Sequence, residues 1–253
     1  TSPTKLVFIM KRYFFKISYD GSSYFGWQKQ PKQISIQETI EKDLSKIHSL
    51  KDISIVGCGR TDAGVHAKEY FFHWDSKAII DIQDIKYKLN KMLPNSISVH
   101  EIYEVPVTMH ARFSARERTY EYHINTSKNP FTVKQSWYIN QKLDLRKMNE
   151  AASLLIGEKD FSSFAKIHTD VKNHICQLNY AIWNINGNQL TFEIRANRFL
   201  RNMVRAIVGT CIDVGLNKIK LNEFKKIIES KNRQKASTSA PANGLYLSKV
   251  IYD

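Results

Sequence analysis

The stretch from Gly57 to Ala67 constrains this chain more than any other, because it combines a flexible backbone with reactive side chains. It reads GCGRTDAGVHA and places three glycines within eight residues. Glycine adopts backbone angles that other residues resist, and it lets another segment or a ligand approach closely. Ile53 and Ile55 before it, and the aromatic run Tyr70–Trp74 after it, have the patterns of strands. We therefore predict a strand-to-strand connection, the glycine loop, in which rigid neighbours can aim a functional side chain.

Asp62 is the residue of this loop that could carry chemistry, since it lies near Arg60 among residues too small to shield it. A nearby cation favours the ionised carboxylate, and a carboxylate can act as a covalent nucleophile or as a base. A glycine-rich turn in which Arg60 and Asp62 only form an ion pair fits the spacing equally well. His66, His73 and His110 lack the spacing of metal ligands, and no Ser or Cys is placed to complete a triad with His66.

The charge of the chain points to a polyanionic partner. Its 253 residues include 38 Lys and Arg against 24 Asp and Glu, a formal net charge of +14. Nucleic acid is the simplest partner for such an excess, and a basic protein kept soluble by its charge is the alternative. Hydrophobic residues make up 42% of the chain, enough for a packed core. An anionic membrane is a third possible partner, but no basic amphipathic helix with a bulky exposed apolar face occurs, so a membrane partner is not predicted. No apolar run reaches the roughly 20 residues that span a bilayer.

Cysteine usage and motif content narrow the class of protein further. Cys58, Cys176 and Cys211 are widely spaced and form neither a disulfide framework nor a zinc pattern, which fits a reduced, cytoplasmic setting. Neither a phosphate-binding loop nor a dinucleotide fingerprint occurs, so the sequence predicts no cofactor and no metal. Residues 1–9 lack the features of a secretory signal and are predicted to be an extension.

The order of the predicted elements indicates an α+β fold. Helices are predicted after the capping residues Ser35, Asp81 and Asp144, and again over Glu223–Glu229, because apolar residues recur there at helical spacing. Strand-like runs and an Asn-Gly hairpin turn at 186–187 lie between them. This alternation predicts two similar sandwich-like halves, each a mainly antiparallel sheet with helices on one face. The predicted domains are residues 10–106 and 107–253.

Arginines cluster just after the predicted boundary. Arg112, Arg116 and Arg118 fall within seven residues and lead into a strand on which Tyr120 and Tyr122 share a face. Arginine suits planar, bidentate contact with phosphate, and a neighbouring aromatic face suits nucleotides. The segment is therefore a candidate RNA surface, and a charged edge strand over a tyrosine-bearing core is the ordinary alternative.

A second arginine cluster lies near residue 200. Arg198, Arg201 and Arg205 recur at spacings of three and four, which places them on one face of a predicted helix, away from an apolar stripe that runs from Phe199 to Val208. A solvated basic face explains this pattern, and so does a face that points into an anionic cleft. The second interpretation makes Arg198 and Arg201 candidates for RNA binding.

Several blocks of the chain resemble one family. The stretch Gly59–Ala67 resembles the signature loop of the TruA family of tRNA pseudouridine synthases, and this match is long and specific. The resemblance covers the chain from about Met10 to the last strand. Five further blocks resemble family motifs: Tyr19–Gly21, Phe25–Gln28, His110–Ala115, Asn202–Arg205 and Gly244–Leu247.

The resemblance implies isomerisation of uridine to pseudouridine in the tRNA anticodon stem-loop, around positions 38 to 40, without a cofactor. Asp62 takes the place of the family's nucleophile, and Arg205 takes that of an arginine expected to pair with it. Tyr120 matches the tyrosine that stacks on the target uracil, and Leu245 matches an apolar contact on the other side of the base. Arg60 is expected to hold the flipped-out state or its phosphate. The family's homodimer and an active-site cleft between the two halves are also implied.

Two other functions remain possible from the residues alone. A non-catalytic RNA-binding module explains the charge, the arginines and the aromatics, but it does not explain a carboxylate in the most constrained loop. A metal-dependent nuclease needs clustered carboxylates, and Asp62 has no acidic neighbour in sequence nearer than Glu69.

Overall fold

The computed structural model describes residues 10–50, 52–167 and 171–252. The predicted extension at residues 1–9 lies outside this part of the chain. The fold is α+β, as the sequence predicts. The described residues form ten strands and five helices, in the order β1 (Lys11–Tyr19), α1 (Ile36–His48), β2 (Val56–Gly57), β3 (His66–Ser76), α2 (Ile82–Met92), β4 (Ile97–Val105), β5 (Glu117–Asn125), β6 (Trp137–Tyr138), α3 (Leu145–Ser153), β7 (Gly157–Asp160), β8 (Ile175–Asn186), β9 (Gln189–Ala196), α4 (Met203–Gly215), α5 (Leu221–Ser230) and β10 (Leu245–Ile251).

The strands form one sheet, whose main path runs β4-β1-β3-β10-β5-β9-β8-β7. Its pairs are antiparallel except for β10 with β3 and β5 with β6. The last strand of the chain therefore lies at the middle of the sheet, where Tyr246 pairs with His66 and Leu247 with Ala67. This pairing joins the strand after the glycine loop to the C-terminal segment.

Two hydrophobic clusters cover the two ends of this sheet. One packs helices α1 and α2, through residues such as Ile40 and Leu89, against β1, β3 and β4. The other packs α3, α4 and α5 against β5, β8 and β9. Tyr120 contacts both clusters, and Leu247 near the end of the chain belongs to the first. The division into residues 10–106 and 107–253 stays a prediction, because the sheet is continuous and β10 contributes to both clusters.

The predicted helix starts are confirmed by their capping contacts. Ser35 accepts a hydrogen bond from the backbone N–H of Glu38, Asp81 accepts two from the first turn of α2, and Asp144 accepts one from the N–H of Lys147. These side chains satisfy N–H groups that have no partner inside the helix. The residue type before each apolar period therefore fixes where these helices begin.

Two local predictions were wrong. The spacing of the second arginine cluster predicts a helix that includes Arg198 and Arg201, but α4 begins only at Met203. Asn202 has a positive φ of 65°, and its side-chain amide donates to the hydroxyl of Ser239, so a contact with a distant loop holds the chain in a turn here. Upstream, Ile53 and Ile55 are buried as a strand pattern suggests, yet β2 pairs only over Val56–Gly57.

Candidate active site

Asp62 lies in the glycine loop and faces arginines from the second half of the chain. Its Oδ2 is 3.4 Å from Nη1 of Arg205, and its Oδ1 is 3.8 Å from Nε of Arg201. The carboxylate is 28% exposed, so a substrate can reach it. Arg60 is exposed and forms no ion pair with Asp62 in the described residues. The simple turn in which Arg60 pairs with Asp62 is therefore not what the chain forms.

The backbone around Asp62 is held by the segment that follows β1. The hydroxyls of Tyr19 and Thr61 lie 2.8 Å apart, and the N–H of Trp27 donates to the carbonyl of Thr61 at 3.2 Å. On the other side, the N–H of Gly64 donates to the carbonyl of Tyr24 at 3.2 Å. Asp62 therefore lies between two fixed points, which orients its side chain before any substrate binds.

Two glycines outside the loop permit this close packing. A Cβ atom at Gly26 would lie 2.3 Å from the carbonyl oxygen of Thr61, and one at Gly21 would lie 1.9 Å from that of Val65. Gly26 also has a positive φ of 84°, which side-chain-bearing residues rarely adopt. The backbones of the blocks Tyr19–Gly21 and Phe25–Gln28 thus pack directly against that of the glycine loop.

His66 and His73 have structural contacts, as the sequence suggests for ordinary core histidines. The Nδ1 atom of His66 accepts the N–H of Gly21 at 3.1 Å, and its Nε2 lies 3.0 Å from the carbonyl of Lys134. The Nδ1 atom of His73 accepts the N–H of Ala111 at 3.1 Å. Both rings are buried, so they tie loops to β3.

Arg205 is oriented by a second loop from the end of the chain. Its Nε donates to the carbonyl of Ala240 at 2.7 Å, while its own carbonyl accepts the N–H of Ala240 at 2.9 Å. The guanidinium is 22% exposed and directs Nη1 at Asp62. Because the arginine fork is planar and rigid, holding one edge fixes the direction of the other.

Tyr120 and Leu245 lie on neighbouring central strands and share one face of the sheet. Leu247 pairs with Tyr120, and Leu245 pairs with Tyr122, two residues further along β5. The rings of Tyr120 and Phe199 form a T-shaped pair with a centroid distance of 5.0 Å. Burial raises the pKa of the Tyr120 phenol, and the Cys58 thiol and the Asp62 carboxylate raise it further. The phenol therefore stays protonated at neutral pH.

The predicted RNA-binding arginines fall into two groups. Arg112, Arg116 and Arg201 are exposed, and Arg198 is half-buried. Arg118 differs, because its guanidinium donates to four backbone carbonyls, those of Cys58, Arg112, Ala115 and Asn197. These donors join the glycine loop, the 110–116 loop and the segment before α4. Arg118 thus contacts the protein's own backbone, where the sequence predicts a contact with RNA.

No group of three or more His, Cys, Asp or Glu side chains suited to a metal ion occurs within residues 10–50, 52–167 and 171–252. The ligands that a metal-dependent nuclease would need are therefore not grouped in this part of the chain. In the same ranges, no helix is both long enough and apolar enough to cross a bilayer.

Comparison with known proteins decides between the remaining interpretations. A family model described as tRNA pseudouridine synthase matches residues 16–114 and 151–253, which includes the glycine loop and Arg205. The chain belongs to this family. It is 48% identical over 245 residues to tRNA pseudouridine synthase A of Bacteroides fragilis, covering 96% of the chain and 97% of the relative. It is 41% identical over 240 residues to the protein of the same name from Bacillus licheniformis, covering 94% and 97%. The TruA resemblance is confirmed, and with it an enzyme of the isomerase class.

Sequence reasoning missed three features of the site. Arg201 was assigned to RNA binding alone, but it also lies beside Asp62. The hydroxyl of Tyr19 and the carbonyl of Ala240 hold the loop and Arg205 respectively. The resemblance of the block Tyr19–Gly21 to a family motif is a usable signal for the role of Tyr19. Nothing in the sequence marks a backbone carbonyl as a functional group.

Proposed function

We propose that this TruA-type synthase isomerises uridine to pseudouridine at positions 38 to 40 of the tRNA anticodon stem-loop, with Asp62 as the catalytic nucleophile. The observation that carries the proposal is the pairing of Asp62 with Arg205 at 3.4 Å, in a loop braced on both sides. This arrangement orients one partly exposed carboxylate within a chain of net charge +14. A carboxylate repels phosphate, so its presence here fits chemistry better than binding alone.

The proposed reaction breaks the N1–C1′ glycosidic bond, turns the uracil and joins C5 to C1′. The proton on C5 is released and N1 gains one, so substrate and product have the same composition and no electrons are exchanged. No cofactor is needed for this balance. As a carboxylate, Asp62 can attack the base, attack the sugar or take a proton from the sugar, and Arg205 lies close enough to orient it for each of these roles.

The target uridine has to leave its stack to reach Asp62. We assign Tyr120 to one face of the extruded uracil, since it lies on the central strand β5 and its ring packs against that of Phe199. Leu245, on the same face of the neighbouring strand, supplies the apolar contact on the other side. Arg60 is exposed and forms no ion pair with another described residue, so its guanidinium is available to the flipped-out nucleotide or its phosphate.

The wider setting follows from this function. We propose that the enzyme works in the cytoplasm as a homodimer, whose two copies form a composite basic groove for one tRNA. Arg112, Arg116, Arg198 and Arg201 line the path of the RNA backbone. The halves 10–106 and 107–253 then form the two walls of the active-site cleft.

A tritium-release assay tests the proposed function. We expect the purified protein to release tritium from tRNA labelled at C5 of uridine, both with and without a chelator. Mapping of the modified positions on a tRNA transcript is expected to find pseudouridine at 38, 39 or 40. Retention of all tritium by a folded protein that binds tRNA would favour a non-catalytic RNA-binding module. Activity that is abolished by the chelator would favour a metal enzyme.

The proposed role of Tyr120 predicts different results for two substitutions. Tyr120→Phe should retain most of the activity, because stacking needs the ring and not the hydroxyl. Tyr120→Ala should lower kcat/KM by about 5- to 160-fold, since stacking of an aromatic side chain on a base contributes about 1–3 kcal/mol. Steady-state kinetics on a tRNA transcript measures both. A loss for Tyr120→Phe as large as that for Asp62→Asn would show that the hydroxyl takes part in the chemistry.

Arg112 and Arg118 form a matched pair for the proposed RNA path. Arg112→Gln should weaken tRNA binding and reduce the slope of log Kd against log salt by roughly 0.7 to 0.9, the value for one lost phosphate contact. Arg118→Gln should leave the slope unchanged but lower the free energy of unfolding by about 2 kcal/mol, because charge-assisted hydrogen bonds to backbone are lost. Binding across a salt series and chemical denaturation measure the two effects. Equal slopes for Arg112→Gln and the wild type would place Arg112 outside the RNA path.

A further inference from the structure

Phe113 projects into solvent from the 110–116 loop. Its side chain is 76% exposed, although it is one of the largest apolar side chains in the protein. A single exposed apolar side chain is common on protein surfaces, so what Phe113 does depends on the groups around it. Phe113 lies between Arg112 and the sequence Ser114-Ala115-Arg116, so its surroundings are basic.

The turn that carries Phe113 is held rigidly by its own hydrogen bonds. The Nδ1 atom of His110 accepts the N–H groups of Arg112 and Phe113 at 3.0 and 3.2 Å. The N–H of Ser114 donates to the carbonyl of His110, and the N–H of His110 donates to the hydroxyl of Ser114, both at 2.9 Å. Burial, together with the charges of Arg12 and Arg112, lowers the pKa of His110. The imidazole therefore stays neutral and keeps the lone pair that caps this turn.

The Phe113 ring is part of a small stack. The imidazole of His110 lies against it at a centroid distance of 4.4 Å, tilted by 30°. The guanidinium of Arg112 lies 5.5 Å from the ring centroid. Three quarters of the side chain stays open beside these two neighbours. Phe113 therefore presents an exposed aromatic ring with a cation next to it. Proteins use this combination to bind single-stranded nucleic acid.

The turn is also tied to the glycine loop. The Nη2 atom of Arg118 donates both to the carbonyl of Arg112 at 2.7 Å and to that of Cys58 at 3.1 Å. Cys58 precedes Arg60 by two residues and Asp62 by four. The hydroxyl of Tyr252 donates to the carbonyl of Ala111 at 2.7 Å. The position of Phe113 is therefore fixed relative to the loop that carries Asp62.

We infer that Phe113 is a second base-binding residue, which stacks on an unpaired nucleotide of the tRNA other than the target uridine. Arg112 binds the phosphate of the same nucleotide. The inference rests on the proposed function, since it takes tRNA to be the ligand. Every base presents a π-face, so such a contact is tolerant of sequence and selects for unpaired nucleotides, whose faces are free. With this contact, tight binding requires that the RNA also have an unpaired nucleotide near the target uridine.

Equilibrium binding of catalytically inactive Asp62→Asn protein to two RNAs tests this inference. The RNAs are a tRNA transcript and a fully paired RNA duplex of the same length. Adding Phe113→Ala should weaken tRNA binding by about 5- to 160-fold, the range for loss of one stacked base. Adding Phe113→Tyr should leave it unchanged, and Phe113→Leu, which keeps apolar area but not the π-face, should resemble Phe113→Ala. On the duplex, all of these proteins should bind equally.

A matched control is available at the far end of β5. Phe131 is 89% exposed and follows that strand, whereas Phe113 precedes it. Phe131→Ala should leave the preference for tRNA over the duplex unchanged. Equal tRNA affinity of the Phe113→Ala protein and its parent, or an equal loss on both RNAs, would overturn the inference. Tritium release by the wild-type enzyme tests the proposed function separately. A failure of the proposed function can therefore be told apart from a failure of the stacking role of Phe113.

Discussion

The Asp62→Asn variant is expected to bind tRNA about as tightly as the wild type and to form no measurable pseudouridine. Asn has nearly the same shape as Asp but lacks the negative charge that makes a nucleophile or a base. Loss of a residue that forms the covalent intermediate lowers kcat by about 10⁴-fold or more in well-studied enzymes. Single-turnover tritium release with enzyme in excess measures the chemical step directly.

The control for this variant is Asp52→Asn, which makes the same chemical change at an exposed position. It should keep the wild-type rate, so a general effect of added net charge can be separated from a local one. Product formation by Asp62→Asn within about tenfold of the wild type would contradict the assignment of Asp62. Loss of tRNA binding in parallel with activity would instead point to a role in holding the loop.

The Arg205→Gln variant is expected to have the second-largest effect on the chemical step. Its guanidinium joins the Asp62 carboxylate to the carbonyl of Ala240, at 3.4 and 2.7 Å. Glutamine cannot supply the charge or span both partners. Removal of one preorganised charged or hydrogen-bonding partner at a reacting centre costs about 10²- to 10³-fold in kcat. We expect KM to change much less, because Arg205 is 22% exposed and directed at Asp62 rather than at the RNA backbone.

Arg201→Gln is the matched comparison, since Arg201 also lies near Asp62 but at 3.8 Å and with 59% of its side chain exposed. Solvent screens such a pair, so its contribution to orienting Asp62 should be small. Arg201→Gln should mainly raise KM and reduce the salt dependence of binding, as expected for a contact with phosphate. A larger fall in kcat for Arg201→Gln than for Arg205→Gln would reverse the two assignments. Thermal denaturation of both variants checks that each is folded.

Most of the sequence predictions that the structure confirms depend only on residues that are neighbours in the chain. The helices after Ser35, Asp81 and Asp144 begin where predicted, because a cap and an apolar period are properties of neighbouring residues. The strands are the least secure part of such reasoning. Ile53 and Ile55 alternate and are buried, yet the strand they suggest is only two residues long and lies after them. Burial can be inferred from a pattern, but a hydrogen-bonded ladder needs a partner that the pattern does not identify.

The arginines show the same limit at the site itself. The seven-residue stretch from Arg112 to Arg118 gives no sign that one guanidinium contacts the protein's own carbonyls while another faces solvent. Two of the four carbonyls that Arg118 contacts, those of Ala115 and Arg112, are near it in sequence. The other two, those of Cys58 and Asn197, reach it only after β5, β2 and the chain before α4 have come together. Likewise, a tertiary contact of Asn202 holds the turn that keeps Arg201 off the helix, and Arg201 lies beside Asp62.

The sequence by itself determined the family and the α+β class, and it singled out Asp62 as the proposed nucleophile, because these depend on residue types in a fixed local order. Only the tertiary structure decided which cation accompanies that carboxylate. Arg60 is two residues away along the chain but forms no ion pair with it in the described part of the structure, whereas Arg205 is separated from it by 143 positions and lies within 3.4 Å. The parallel pairing of β10 with β3 brings the end of the chain to the glycine loop, and the carbonyl of Ala240, in the loop before β10, holds the guanidinium of Arg205. Distances across such a long-range contact are set by packing of the whole sheet.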